Sequence, residues 1–107
     1  ERYQRIATTP HVLTEVSNLA GQHGEPERSA LFANFALLIL NLDERLTPGS
    51  ITCAHPAFVR LGLTDAAVAD IARRDGLEVL TTDLDLWSYL STHGVTAHNF
   101  HHVRALI

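Results

Sequence analysis

Residues 64–100, TDAAVADIARRDGLEVLTTDLDLWSYLSTHGVTAHNF, decide the fold class. Residues 64–76 carry helix signals at both ends: Thr64 as a cap, Asp65 in the first turn, Arg73 and Arg74 late, and Gly76 after the end. Val68, Ile71 and Ala72 share one face. Residues 77–82 (LEVLTT) then read as a buried strand, residues 83–92 as a helix closed by Gly94, and residues 95–100 as a last strand. Helix, strand, helix, strand with short connections predicts βαβ units and a parallel sheet with helices on both faces, an α/β fold in three layers.

Working outward, residues 5–8 (RIAT) form a weak strand candidate. Thr9-Pro10 supplies a cap followed by proline at the first helical position, which predicts a helix over 10–20 with Val12, Leu13, Val16, Leu19 and Ala20 on one face. Residues 21–26 (GQHGEP) are a loop. Residues 27–42 form a longer helix, apolar nearly all round, with Asn34 and Asn41 one heptad apart as its main polar seam. Leu31, Phe32, Phe35, Leu38, Ile39 and Leu42 cannot all face one small core, so a homodimer is expected. Residues 47–50 (TPGS) are a turn, and 51–54 are too short to assign. The whole reads as a single domain.

The 107 residues, 46% hydrophobic and 19% charged, have the composition of an ordinary globular domain. One cysteine, Cys53, excludes an internal disulfide and a cysteine-based zinc site. Twelve acids against eight bases, all of them arginine, give a net charge of -4 and exclude a general electrostatic hold on nucleic acid. Any hold must come from local arginines, a bound metal or a basic partner. The longest apolar run falls short of the roughly 18 residues a membrane helix needs. No signal-peptide pattern is visible, so a cytoplasmic protein without a membrane partner is expected.

Three acids fall where a parallel α/β sheet binds its ligands, at the handover from strand to helix. Asp83 follows LEVLTT, Asp65 opens a helix, and Glu15 lies on the helix after RIATT. Glu15 is about 40° from Leu19 and about 60° from Val12, at the border of the apolar face. Helix capping and the macrodipole alone account for acids at helix starts, at roughly 0.3 to 1 kcal/mol each. Thr82 and Asp85, three apart, suit a capping-box-like pair. If the three acids converge to about 4 Å, each like-charge pair costs about 4 kcal/mol at an effective dielectric of 20, so the cluster calls for a divalent cation. All-oxygen ligands suit Mg²⁺ or Mn²⁺.

Four pieces, TPHVLTEVSNL (9–19), LGLTDAAVADIARRDG (61–76), LTTDLDL (80–86) and GVTAHNF (94–100), resemble in order the PIN-domain ribonucleases. The resemblance implies a Mg²⁺- or Mn²⁺-dependent endoribonuclease acting on RNA, with the toxin of a toxin-antitoxin pair as one form and an antitoxin protein as its partner. It also implies Glu15, Asp65 and Asp83 as catalytic metal-binding acids, Asp85 as an assisting acid and Thr82 as a hydroxyl beside them; Asn99, read from the residues alone, is expected to end the last strand and hydrogen-bond nearby backbone, with support of the site the rarer use. The family's first strand ends in a further catalytic aspartate, which nothing before Thr9 supplies, so the expectation is a longer parent polypeptide or a lost site. A PIN-like domain acting only as a binding module is the alternative. A phosphoacceptor domain built on the same acids is excluded, because the chain has no lysine.

Of the remaining candidates, no pair among the seven histidines has the i, i+4 spacing with an intervening glutamate that marks a helical zinc site, and His101-His102 are expected in surface roles. Arg60, Arg73, Arg74 and Arg104 are phosphate-contact candidates. Trp87 and Tyr89 are expected to pack or to sit at an edge, with base stacking the rarer use.

Overall fold

The structure, a computed structural model, describes residues 6–99. Arg5, Phe100, His101, His102 and Arg104 of the sequence reading lie outside them. The chain divides into two compact units, Glu1–Leu46 and Thr47–Ile107.

In the first unit, β1 (Ala7–Thr8) leads into α1 (Pro10–Ala20). Thr9 is extended, and its hydroxyl accepts the Val12 N–H at 3.2 Å, while Pro10 occupies a position whose N–H would find no partner. The helix starts where TTP requires. α2 (Glu27–Asn41) has Pro26 at its cap, with no side-chain bond from that residue. Glu25 takes over: its carboxylate accepts the Ser29 N–H at 2.7 Å and the Ser29 hydroxyl. That hydroxyl first, then the amide, with the Arg28 charge in the same direction, hold the Glu25 pKa below the ordinary glutamate value. The stabilisation is present above the unfolded pKa and is lost as pH falls through the lowered folded one.

Leu42 turns extended and feeds β2 (Asp43–Glu44), which pairs parallel with β1 in the register Ala7↔Asp43, Thr8↔Glu44. Asp43 N–H donates to Ile6 O at 2.9 Å and Arg45 N–H to Thr8 O at 2.8 Å. This unit is a strand, a packed helix pair and a parallel strand. Of its described residues only Thr9 is buried. The expected apolar face of α1 is partial: Val12, Leu13 and Ala20 are half-buried, but Val16 and Leu19 are open.

The second unit holds the hydrophobic core. Two four-residue helices, α3 (Gly49–Thr52) and α4 (Phe58–Leu61), pack on α5 (Leu63–Asp75). β3 (Val79–Thr81), α6 (Leu84–Thr92) and β4 (Ala97–Asn99) follow, and the strands pair parallel with Thr81 beside Asn99. Ala57, Ala69, Ala72, Val79, Leu86, Tyr89, Leu90 and Val95 form one buried cluster. Alanine at five buried or core-facing points lets α5 and its neighbours approach closely, and Leu90, fully buried, is the largest aliphatic side chain sealed inside.

Several local expectations change. Two separate two-stranded parallel sheets stand among the described residues, so the architecture is mixed α/β with parallel pairs. Residues 49 and 50, expected in a turn, open α3, because Pro48 caps from an extended conformation and the chain then turns helical. The cap of α5 is Gly62 at φ +86°, a backbone angle that side chains resist, and Thr64 lies inside the helix. Residues 77–82 were expected as a buried strand, yet Leu80 is 62% exposed while Val79 is buried. Only one face of β3 meets the core, as the two-residue period of a strand dictates.

At its other end α5 stops on Gly76 at φ +67°, with the Gly76 and Leu77 N–H groups both donating to Ala72 O. A Cβ built there meets nothing within 4 Å, so substitution costs backbone strain alone. Gly76→Ala is expected to lose about 1 kcal/mol in thermal unfolding. An unchanged midpoint would show that the turn relaxes without cost.

Candidate functional site

The turn from β3 to α6 gathers more of the proposed side chains than any other point in the second unit. Thr81 ends β3, and its hydroxyl accepts the Asp83 N–H at 3.0 Å. Asp83, extended at φ -86°, ψ 117°, is the cap of α6, and its Oδ1 accepts the Leu86 N–H at 3.0 Å. The Trp87 N–H closes the first turn on Asp83 O at 3.0 Å. The capping-box-like pair expected of Thr82 and Asp85 is therefore replaced by Asp83 acting with Thr81. Asp83 lies one residue nearer the helix, within reach of the third amide. Thr82, Asp83 and Asp85 are all exposed.

Parallel pairing brings the end of β4 to the same place. Asn99 stands beside Thr81 in the register and is only 4% exposed. A buried amide at a strand's carboxyl end must be hydrogen-bonded, which fixes its orientation. Asp65 opens α5 in the same unit and is half-buried. Glu15 belongs to the first unit, on the exposed middle of α1. Among the described residues, no group of three or more His, Cys, Asp or Glu side chains is gathered to hold a metal ion. The chemistry of the donors, carboxylate and hydroxyl oxygens, suits a hard divalent cation.

The other candidates are placed as follows. Arg74 is paired with its neighbour Asp75 at 2.8 Å, and Arg73 reaches His93 O at 3.5 Å, while Arg60 is exposed on α4. Tyr89 packs in the core, with the His93 ring stacked on it at 3.9 Å and 14° and the His55 ring edge-on at 6.3 Å. One His93 ring nitrogen lies 2.7 Å from Tyr89 O, and His98 meets Glu78 at 2.8 Å across the strands. His11 Nδ1 is shielded from solvent with no hydrogen-bond partner. Sequence reading missed the His55–Tyr89–His93 group. Tyr89 and His93 are four apart on one helix face, a legible signal, but His55 comes from a distant segment with no periodicity to reveal it.

No protein-family model, no curated protein and no solved structure matches the chain.

Proposed function

We propose that this chain is the metal-dependent, RNA-cleaving part of a PIN-like endoribonuclease, with a three-layer parallel sheet as its complete architecture. The observation that carries the reading is Asp83 just past the carboxyl end of β3, with Asp85 two residues on and the buried Asn99 paired in register with Thr81. A carboxylate at the end of a parallel strand is where α/β folds present ligand-binding groups. In the second unit, Asp65 and Asp83 are the residues that would hold Mg²⁺ or Mn²⁺, with Asp85 assisting and Thr82 and Asn99 supporting; Glu15 is the corresponding candidate of the first unit. When bound, the metal supplies charge neutralisation for the phosphodiester and the acidification of water that hydrolysis requires.

The chain's own residues do the rest. Asn99 and Thr81 fix the strand ends, and the Thr81 hydroxyl holds the Asp83 amide, so the aspartate's backbone is set before any ligand arrives. Excess acid on the surface repels RNA at long range, so binding should be local to the loaded site and to Arg60. An antitoxin with a basic segment suits this charge, and the reading takes the chain as a toxin acting in the cytoplasm.

A second reading has its own support. Asp83 already has a structural duty as a helix cap, and a PIN-like module that binds without cleaving would need no more from it. Mn²⁺ titration of the full-length protein separates the two. Binding to the folded state alone raises stability by about 2.7 kcal/mol at a concentration 100 times Kd. The enzyme reading expects that rise together with cleavage of single-stranded RNA that stops on chelation. Neither effect appearing would leave the binding module.

A further inference from the structure

The rings of His55 and His93 flank Tyr89 in the second unit, and their hydrogen bonds place the ring protons on opposite nitrogens. At His55, Nδ1 lies 3.0 Å from the Ala57 nitrogen, whose N–H can only donate, so Nδ1 supplies the lone pair and the neutral ring keeps its proton on Nε2. At His93, Nδ1 lies 2.7 Å from Tyr89 O, which can only accept, so there Nδ1 carries the proton. The Thr92 hydroxyl, 3.0 Å from the same nitrogen, has Ser88 O and Tyr89 O as acceptors for its own hydrogen.

We propose that His55 is a latch on the start of α4 that acid releases, set across Tyr89 from a His93 whose bond acid leaves in place. A second proton on the His55 ring can enter only at Nδ1, where it takes the lone pair that the Ala57 N–H uses. A second proton on His93 enters at Nε2 and leaves the bond to Tyr89 O intact. His93 is also the C-cap of α6, where the helix dipole favours a cation. The latch on α4 is therefore closed while His55 is neutral, at higher pH, and opens as pH falls through the imidazole range.

Burial gives the loss its effect. Ala57 is 0% exposed, belongs to the core cluster and caps α4. A donor left without a partner in a sealed residue drives its segment to open toward water. The Phe58 N–H still donates to His55 O at 2.9 Å, and the Leu61 and Gly62 N–H groups to Ala57 O and Phe58 O at 2.8 Å, so the opening stays local. Among the described residues no charged side chain is bonded to the His55 ring to hold it once protonated. Cys53 donates to Ser50 O, Arg60 is exposed on α4, Asp65 opens α5, Asp70 accepts from Thr47, and Arg73 reaches His93 O. The proposal is independent of the ribonuclease reading.

Nuclear magnetic resonance on the full-length protein tests it in two ways. Ring-nitrogen spectra at about pH 8, above the ordinary imidazole value of about 6.5, are expected to show the proton on Nε2 in His55 and on Nδ1 in His93. Between about pH 7.5 and about pH 5.5, the protection of the Ala57 amide against hydrogen exchange, corrected for the intrinsic rate, is expected to fall about fivefold, the worth of one hydrogen bond. His55→Asn, whose side-chain oxygen can accept the same amide but takes up no proton, is expected to keep its protection across that range. His93→Gln is expected to leave the fall at Ala57 in place. The ring spectra of the parent stand even if a variant misfolds. Either ring in the opposite tautomer overturns the proposal, as does a parent whose Ala57 protection ignores pH, or a fall that persists in His55→Asn or vanishes in His93→Gln.

Discussion

Leu90→Ala should lower the stability of the second unit by about 3 kcal/mol, the middle of the range for emptying a buried leucine site. Leu90 is 0% exposed, lies within the cluster of Val79, Leu86, Tyr89 and Val95, and its carbonyl accepts the N–H groups of both His93 and Val95 at 3.1 Å. The rigid turn after it limits how far the neighbours can collapse into the vacancy. For a domain stabilised by about 5 to 15 kcal/mol in all, such a loss shifts a urea midpoint by a readily measured amount. Leu80→Ala, on a residue 62% exposed, supplies the contrast and should cost under about 1 kcal/mol. Equal losses at the two positions would mean that the cluster around Leu90 is not the folding core.

At Asp83, stability and cleavage should separate. Asp83→Asn retains a side-chain oxygen for the Leu86 N–H, so the cap survives and stability should change by less than about 1 kcal/mol; Asp83→Ala removes the cap and should cost about that much. If Asp83 also holds metal, Asp83→Asn should abolish most of the stabilisation by Mn²⁺. It should also slow RNA cleavage at least about 100-fold, the upper end of the loss seen when a mere outer-shell partner of a metal is removed. Where acids repel one another in the metal-free protein, the same change should be neutral or slightly stabilising there. An Asp83→Asn protein that keeps both its Mn²⁺ response and its cleavage rate would reduce the residue to a helix cap. Comparing Asn with Ala at one position thus assigns the carboxylate's charge and its capping oxygen separately.

The helices with strong punctuation were the legible part of the fold. α1 runs over the residues that Thr9-Pro10 and Gly21 delimit, and α5 stops at Gly76 as a left-handed glycine demands. The parallel pairing of β3 with β4 through α6 also follows from the alternation of patterns. The four-residue helices α3 and α4 and the two-residue β2 were not legible, since none is long enough to show a period. Caps slipped by one or two residues, from Thr82 to Asp83 and from Thr64 to Gly62. Local side-chain and backbone competition decides such details, and several neighbouring residues could have served. At the candidate site, Thr81 and Asn99 meet at one strand end through register, with Asp83 two residues on, which the pattern implies. The placement of Asp65 relative to that strand end depends on packing between elements distant in sequence, which no periodicity encodes.

The two parallel pairs also set an order of assembly. Twice as many positions separate Ala7 from Asp43 as separate Val79 from Ala97, so closing the first pair costs roughly 0.6 kcal/mol more in chain entropy. The longer closure is also the less rewarded one, with two residues per strand against three and no buried apolar side chain to hold it. On refolding, β3 and β4 should therefore nucleate around Leu90 while β1 is still searching for β2. On the ribosome the order of emergence runs the other way: β1 leaves the tunnel first and must wait through both helices before its partner appears.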